Sequence, residues 1–543
     1  MNALKETMAS TLKNPMRSVS AGLMVACLML FASNVCAAAL PNILLITVDD
    51  MSTDSVGSFG SSVADTTPHI DQLAAEGLRF TQAHVQVANC MPSRNVMWSG
   101  RYPHTSRVEG FYHIWDADYP TLSELLHDAG YFTAIRGKVR NSTPYIPYQW
   151  DKVLDATHER KDPASYGVST LEGIRAARAA KKPFALLINI SDPHVPFYGL
   201  DRRGSPIVDA FTPSRVYRPD EVAVPGFLID DPIVREELAH YYSSVRRADD
   251  AVGFVLDALA QSGEAESTLV MFISDHGMPF PFAKTQLYHH STRTPLVFRW
   301  PGKIAPGQVD TKHMVSAVDV LPSLLDAAGI DLPVGLQGRS FLPLLEGTEQ
   351  TGWDYVIKEY NENSAGQRAP MRAIQDERYL YIFNPWSDGK RTMSSATRNT
   401  QTYKRMLQLS TGVEELADRL HLLQYRVTEE LYDVQVDPDC LVNLIADPDY
   451  ASELERLRGA LEAWMRNTED PVLIALVHRD DPQFLARFMS GVDDARAELI
   501  KELKADRQRA FAEAIGRALL KKQAASGQAP PQAEQSPSGS ELR

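Results

Sequence analysis

The sequence predicts an α/β fold, a large mixed, mainly parallel sheet flanked by helices, with a smaller C-terminal α+β domain behind it. Three observations carry this. From residue 41, short and nearly unbroken apolar runs alternate with amphipathic stretches of helical period, the pattern of strands covered on both faces. Several of those runs end abruptly in Asp, His, Ser or Lys. After Leu345 the pattern changes to strands that follow one another with fewer intervening helices, as in an antiparallel sheet.

The elements are justified in order. Lys5, Lys13 and Arg17 precede an apolar run from Ala21 to Ala32, and Cys36-Ala37-Ala38-Ala39 follows. This is the layout of an export signal, and it is shorter than the ~20 residues of a membrane span. Residues 1–39 are therefore expected to be a signal peptide, and the mature chain to be periplasmic or secreted. An uncleaved anchor is the alternative; lipidation at Cys27 or Cys36 fits the preceding residues poorly. Strands are predicted at Ile43–Val48, Tyr131–Ile135, Phe184–Ile190 and Leu269–Ile273. Helices are predicted at Pro68–Glu76, Thr121–Ala129, Val234 to about Ala260 and Leu321–Ala328. Residues 40–348 form the expected catalytic domain. Residues 349–470 form a smaller unit with strands Tyr355–Tyr360, Met371–Ile374, Tyr379–Phe383 and Glu430–Val434, closed by helix Tyr450–Asn467. Residues 471–522 read as a helical extension, and 523–543, rich in Ala, Gln, Pro and Ser, as a disordered tail.

Composition narrows the function. Lys and Arg number 55 against 69 Asp and Glu, a net charge of −14, which argues against a nucleic-acid partner. No segment after the signal is long enough to span a membrane. Four cysteines exclude a disulfide scaffold, and two of them lie in the signal, leaving Cys90 and Cys440.

Ligands of open parallel sheets bind beyond the carboxyl ends of the strands. Four predicted strands end there in reactive residues: Asp49-Asp50, Arg136-Gly137-Lys138, Ser191-Asp192-Pro193-His194 and Ser274-Asp275-His276-Gly277. Each alone is an ordinary turn or helix cap. Together they gather carboxylates that would repel one another without a cation between them. Oxygen-rich ligands suit Ca²⁺ or Mg²⁺, and the imidazole of His276 leaves Mn²⁺ open.

A fifth element is Cys90-Met91-Pro92-Ser93-Arg94, followed by Gly100-Arg101. Pro92 is placed to open a helix, so Cys90 lies at a helix N-terminus, where the dipole favours an anion or a nucleophile. Arg94, one turn on, is placed to grip a tetrahedral oxyanion. A lone Cys is usually a small buried hydrophobe, but polar neighbours flank this one.

Cys-x-Pro-Ser-Arg with its downstream Gly-Arg resembles the signature of the sulfatases, in the alkaline-phosphatase-like superfamily. Asn42–Asp50, Gly137-Lys138, Asp192-Pro193-His194 and Ser274–Gly277 follow in the family's order. Glu430-Leu431-Tyr432-Asp433, Asp437-Pro438 and Asn443-Leu444 resemble its C-terminal sheet motif. Within the family, Ser274–Tyr288 (SDHGMPFPFAKTQLY) and Pro370-Met371-Arg372 are most similar to the heparan N-sulfatase (sulfamidase) branch.

The resemblance implies that a maturation enzyme oxidises Cys90 to formylglycine, whose hydrate is the nucleophile. It implies that Asp49, Asp50, Asp275, His276 and the modified residue 90 hold Ca²⁺. It places Arg94, Lys138, His194 and Lys284 on formylglycine or sulfate, with His194 as general acid. The expected function is an exported sulfatase acting on sulfated sugars, N-sulfoglucosamine above all. The alternatives are a phosphodiesterase or phosphonate hydrolase of the same superfamily, and a binding protein descended from a sulfatase. One departure stands out. The family carries a His two or three residues after the Gly-Lys lysine, where this chain has Arg140 and Asn141. Neither is a base at neutral pH, so His113 or His290 would have to serve, or sulfate release is slow.

Overall fold

The computed structural model describes residues 40–115, 117–146, 150–155 and 158–525. Residues 1–39, expected to be a signal peptide, and 526–543 of the expected tail 523–543 lie outside the described residues, whereas 523–525 are helical. The main sheet has eight strands, and Asn42–Asp49 lies near its middle, parallel to Thr268–Ser274 on one side and Phe184–Pro193 on the other. Phe132–Arg136 and then Lys152–Val153 extend it beyond Phe184–Pro193, all parallel. On the opposite flank come Leu296–Arg299, Leu78–Phe80 and Gln308–Asp310. Leu296–Arg299 runs antiparallel to both its neighbours and makes the sheet mixed.

The central strand shows why unbroken apolar runs were needed. Leu44, Ile46 and Val48 point into one core and Ile43 and Leu45 into the other, all essentially inaccessible. The first core is roofed by the long helix Pro232–Ser262 and by Pro163–Ala180. The second is roofed by Leu122–Asp128, Val320–Ala327 and the inner face of Cys90–Ser99. Ile46 is level with Ile188 and Phe272 in the neighbouring strands. Truncating it to Ala is expected to cost about 2–5 kcal/mol through lost burial and a residual cavity. Pro232–Ser262 begins on Asp231, whose side chain accepts from Ile233 N, and stops at Gly263 with φ 78°.

The second sheet has four antiparallel strands in chain order: Tyr355–Glu362, Arg368–Asp376, Tyr379–Phe383 and Glu429–Asp433. Its apolar face and the helix Ala451–Asn467 belong to the same continuous core as the main sheet. Two helices that the sequence pattern had not suggested, Gln401–Leu409 and Glu414–Tyr425, come between its last two strands. The final helix, Pro482–Ala525, sets Leu499 and Leu503 against a small cluster around Met91, Val108 and Tyr112. Among the described residues no helix is long and apolar enough to cross a membrane.

Candidate active site

The strand ends named above meet at one edge of the main sheet. A register shift between Thr47 and Asp49 brings Asp49 level with Pro193. Asp50 follows at φ 72°, a left-handed conformation that costs a non-glycine residue roughly 1–2 kcal/mol. Its amide donates to Asp275 Oδ1 at 3.0 Å, and Asp275 N donates to Val48 O at 3.2 Å. The two strand ends are thus stitched together, with Asp49, Asp50, Asp275 and His276 all buried. Gly277 can only be glycine, since a Cβ there would stand 2.1 Å from His290 O.

Helix Cys90–Ser99 points its N-terminus into this cluster. It opens at Cys90, so Pro92 falls within the first turn rather than at its first position, where its missing N–H still costs no hydrogen bond. Cys90 Sγ lies 3.4 Å from His276 Nε2 and 4.0 Å from Lys284 Nζ. His276 Nδ1 is 3.0 Å from Gly277 O, which leaves Nε2 as the ring's free lone pair toward the cluster. Burial pushes the Cys90 thiol up, with Lys284 opposing, so the unmodified thiol is a poor nucleophile.

Cations are packed among the carboxylates. Lys284 Nζ donates to both oxygens of Asp50 at 2.7 Å. Lys138, reached through left-handed Gly137 and Lys138 itself, is ion-paired with Asp49. Burial alone would raise Asp49, but Lys138, His194 and Arg94 hold its carboxyl well below the usual range. Burial raises Asp275 in spite of Arg94. His194 Nε2 is 4.0 Å from Asp50 Oδ2. Burial disfavours its imidazolium, but Asp50 and Asp49 outweigh that and lift it above the ordinary value.

Arg94, expected on formylglycine or sulfate, is hydrogen-bonded within the protein. Its guanidinium donates to Asp275 Oδ2 (3.0 Å), Thr47 Oγ1 (2.6 Å), Asn189 Oδ1 (2.7 Å) and Val48 O (3.4 Å). It grips the protein at the site's floor. Thr47 and Asn189 are the residues that sequence reasoning missed, and each is a lone polar residue inside an apolar strand. Asn189 also donates to Gly137 O at 2.8 Å, fixing the turn that carries Lys138. Lys161 was missed as well: its Nζ holds Asp192 Oδ1 at 2.5 Å and His194 O at 2.7 Å.

Among the described residues, Cys90 Sγ has hydrogen-bond contacts to His276 and Lys284 and none to either substitute base suggested by the sequence. Burial and the positive charges of Arg140 and Arg507 lower the His113 imidazole. His290 is 2.7 Å from Asp54 Oδ2 and 3.2 Å from Asp439 Oδ1. Arg140 is exposed and Asn141 half-buried in the short helix Val139–Ser142.

The residues present fit a cation. Asp49, Cys90, Asp275 and His276 offer ligand atoms that all lie within 4.8 Å of one another, and Asp50, Cys90 and His194 form an adjoining group. Both oxygens of Asp49 are buried without an aligned hydrogen-bond donor, despite the ion pair to Lys138. A buried carboxylate left so is what a hard metal ion satisfies.

Comparison with known proteins agrees with this arrangement. The family model described as sulfatase matches residues 41–330, and that described as N-sulphoglucosamine sulphohydrolase, C-terminal, matches 275–389. The chain is 31% identical to N-sulphoglucosamine sulphohydrolase of Homo sapiens over 483 residues, 83% of this chain and 94% of the relative. It is 28% identical to an ulvan-active sulfatase of Formosa agariphila over 433 residues, covering 79% of this chain and 81% of that one. Two solved structures share the fold. One, in complex with its substrate D-glucosamine-2-N,6-O-disulfate, superposes with TM-score 0.60 at 19% identity over 79% of this chain and 98% of its own. The other, a phosphonate monoester hydrolase of Agrobacterium radiobacter, gives TM-score 0.56 at 19% identity over 77% and 96%.

Proposed function

The chain belongs to the sulfatase family, hydrolases of sulfate esters and sulfamates, and on that premise we propose that it cleaves sulfate from sulfated saccharides, with N-sulfoglucosamine the favoured sugar. The observation that carries this is Cys90, buried at a helix N-terminus between His276, Lys284 and His194. The 31% identity to a sulphoglucosamine sulphohydrolase and the C-terminal match over 275–389 support the N-sulfated sugar.

In this reading a maturation enzyme converts Cys90 to formylglycine, which supplies the nucleophile that the raised thiol does not. Asp49, Asp50, Asp275 and His276 hold a divalent cation, Ca²⁺ by the number of oxygen donors, and it contributes positive charge opposite the transferring group. Lys284 and Lys138 present fixed charge to the sulfate, in a closed site where such charge is worth most. His194 delivers its proton to the leaving nitrogen or oxygen, a contribution typically of ~10²–10⁴-fold. Lys161 holds the His194 backbone, and Arg94 holds Asp275 against Thr47 and Asn189. We also propose export directed by residues 1–39, to be checked by the N-terminal sequence of the mature protein.

A release assay tests the function, comparing N-sulfated, O-sulfated and phosphorylated sugars, alongside the intact-peptide mass around residue 90. Preferential sulfate release with formylglycine at residue 90 is expected. Faster phosphate release favours the phosphonate or phosphodiester alternative. Unmodified Cys90 with no turnover favours a binding protein.

A further inference from the structure

Beside His194 and Lys284 lies a cavity of about 480 Å³, within the ~300–1,000 Å³ of small-molecule sites. Because those two residues line it, this space is open to whatever carries the scissile sulfate. Two loops distant in sequence form its rim. One is the turn at 199–207, closed by Asp201 N to Ser205 O and Ile207 N to Gly199 O, both 2.8 Å. The other leads into helix Gln401–Leu409 and brings Asn399 and Gln401 to the opposite side.

The charges around the cavity are unequal. It has two lining carboxylates, of which Glu237 is held by the walls through both oxygens and Asp201 through Oδ1. Asp201 Oδ1 accepts Arg203 N and Ser205 N at 2.8 Å. Glu237 accepts Gln401 N at 2.8 Å and Thr402 N and Oγ1 at 2.7 Å. Arg160 and Arg202, also in the lining, are exposed. Most other arginines near the site, such as Arg94 and Arg247, are tied to carboxylates. Among the described residues, ion-pair contacts within 4.0 Å are absent for both Arg160 and Arg202. In a chain of net charge −14, two exposed guanidiniums without an ion pair, lining the same cavity as Lys284 and His194, give it a positive bias.

We propose that Arg160 and Arg202 form an anion subsite of this cavity, reading a second negative group, a uronate carboxylate or a second sulfate, on the saccharide that bears the scissile sulfate. Guanidinium is suited to this because its planar fork matches both anions. The inference rests on the sulfated-saccharide reading and adds to it that the preferred substrate is at least dianionic.

The test uses the matured full-length enzyme and three substrates: N-sulfoglucosamine, the same sugar with a second O-sulfate, and N-sulfoglucosamine linked to a uronic acid. Wild type is expected to favour one dianionic substrate over the monoanion tenfold or more in kcat/KM, and which one identifies the second anion. An Arg160→Gln/Arg202→Gln double variant should lose at least tenfold of that preference, mainly through KM. Arg218→Gln, which removes an exposed arginine paired with Asp220 outside the cavity, should retain it. No preference in wild type, or equal preference in the double variant, overturns the subsite. Wild-type inertness toward all three substrates instead overturns the N-sulfoglucosamine reading, and the subsite falls with it.

Discussion

Lys284 Nζ stands 2.7 Å from both oxygens of Asp50 and 4.0 Å from the sulfur of Cys90. One buried ammonium therefore neutralises a strand-end carboxylate and faces the reactive residue at once. Burial opposes its charge, but Asp50, Cys90 and Asp49 hold it protonated, above the ordinary lysine value.

Lys284→Met should leave Asp50 buried with its main partner gone, at a cost of about 3–5 kcal/mol. It should also lower kcat by roughly 10²-fold, the scale of losing one preorganised charge opposite a developing anion. Lys284→Arg keeps the cation and should retain most of the activity. Thermal melts and sulfate release on both variants check this; wild-type turnover in the Met variant would remove Lys284 from the site.

Asp275 serves two purposes, and its variants should separate them. Its carboxylate accepts Arg94 Nε at 3.0 Å inside a site where Arg94 has no access to water. Asp275→Ala leaves that guanidinium short of its nearest anion, so a loss of about 3–5 kcal/mol of stability should accompany the loss of activity. Asp275→Asn keeps the shape and one acceptor, and should melt nearer to wild type while binding the cation poorly. Metal content of the purified variants reports the second effect without reference to turnover. An Asn variant that holds metal as wild type does would remove Asp275 from the cation site.

Much of this was legible in the sequence because buried parallel strands need unbroken apolar runs, and the polar residues ending them are conspicuous. The strands predicted at 43–48, 184–190 and 269–273 are observed as Asn42–Asp49, Phe184–Pro193 and Thr268–Ser274. Helix Pro163–Ala180 was not read, because Gly167, Gly173, Ser169 and Thr170 weaken its helical pattern. Those glycines answer to tertiary packing: a Cβ at Gly167 would sit 2.7 Å from Phe254 O on the long helix, and one at Gly173 2.9 Å from Leu186. Leu296–Arg299 is too short to announce itself, and its antiparallel direction follows from the return of the loop that carries Lys284. The role of Arg94 was beyond the sequence, since its partners Thr47, Asn189 and Asp275 come from three different strands or strand ends.

His290 should make stability depend on pH. Its Nδ1 meets Asp54 Oδ2 at 2.7 Å, and Nε2 faces Asp439 Oδ1 at 3.2 Å without hydrogen-bond alignment. Burial lowers its pKa, but Asp439 and Asp54 outweigh it and raise it to about 9. A folded value above the unfolded one of about 6.5 means the contribution is complete below about 6.5 and is lost as pH rises through about 9, at most about 3 kcal/mol. Denaturant unfolding of wild type and His290→Gln checks this at pH 6.5 and 9.5. The stability gap between them should shrink at the higher pH; a constant gap would mean that the ring is not charged in the fold.

Turnover tests the departure at Arg140 and Asn141. If His194 protonates the leaving group and Lys138 and Lys284 face the sulfate, as proposed, the first release of leaving group should be fast. Freeing residue 90 for the next cycle requires a proton to be taken from it, and the position where the family keeps a histidine holds an exposed arginine and a half-buried asparagine. His290 is paired with Asp54 and Asp439, and burial with the charges of Arg140 and Arg507 lowers the His113 imidazole. The matured enzyme should therefore show a burst of leaving group close to one per active site, followed by a slower steady state. Arg140→His or Asn141→His should speed the steady state more than the burst, whereas His194→Gln should slow the burst itself. If wild type shows no burst and neither histidine variant is faster, a group already beside Cys90, His194, takes that proton, and the substitution at 140 and 141 is neutral for turnover.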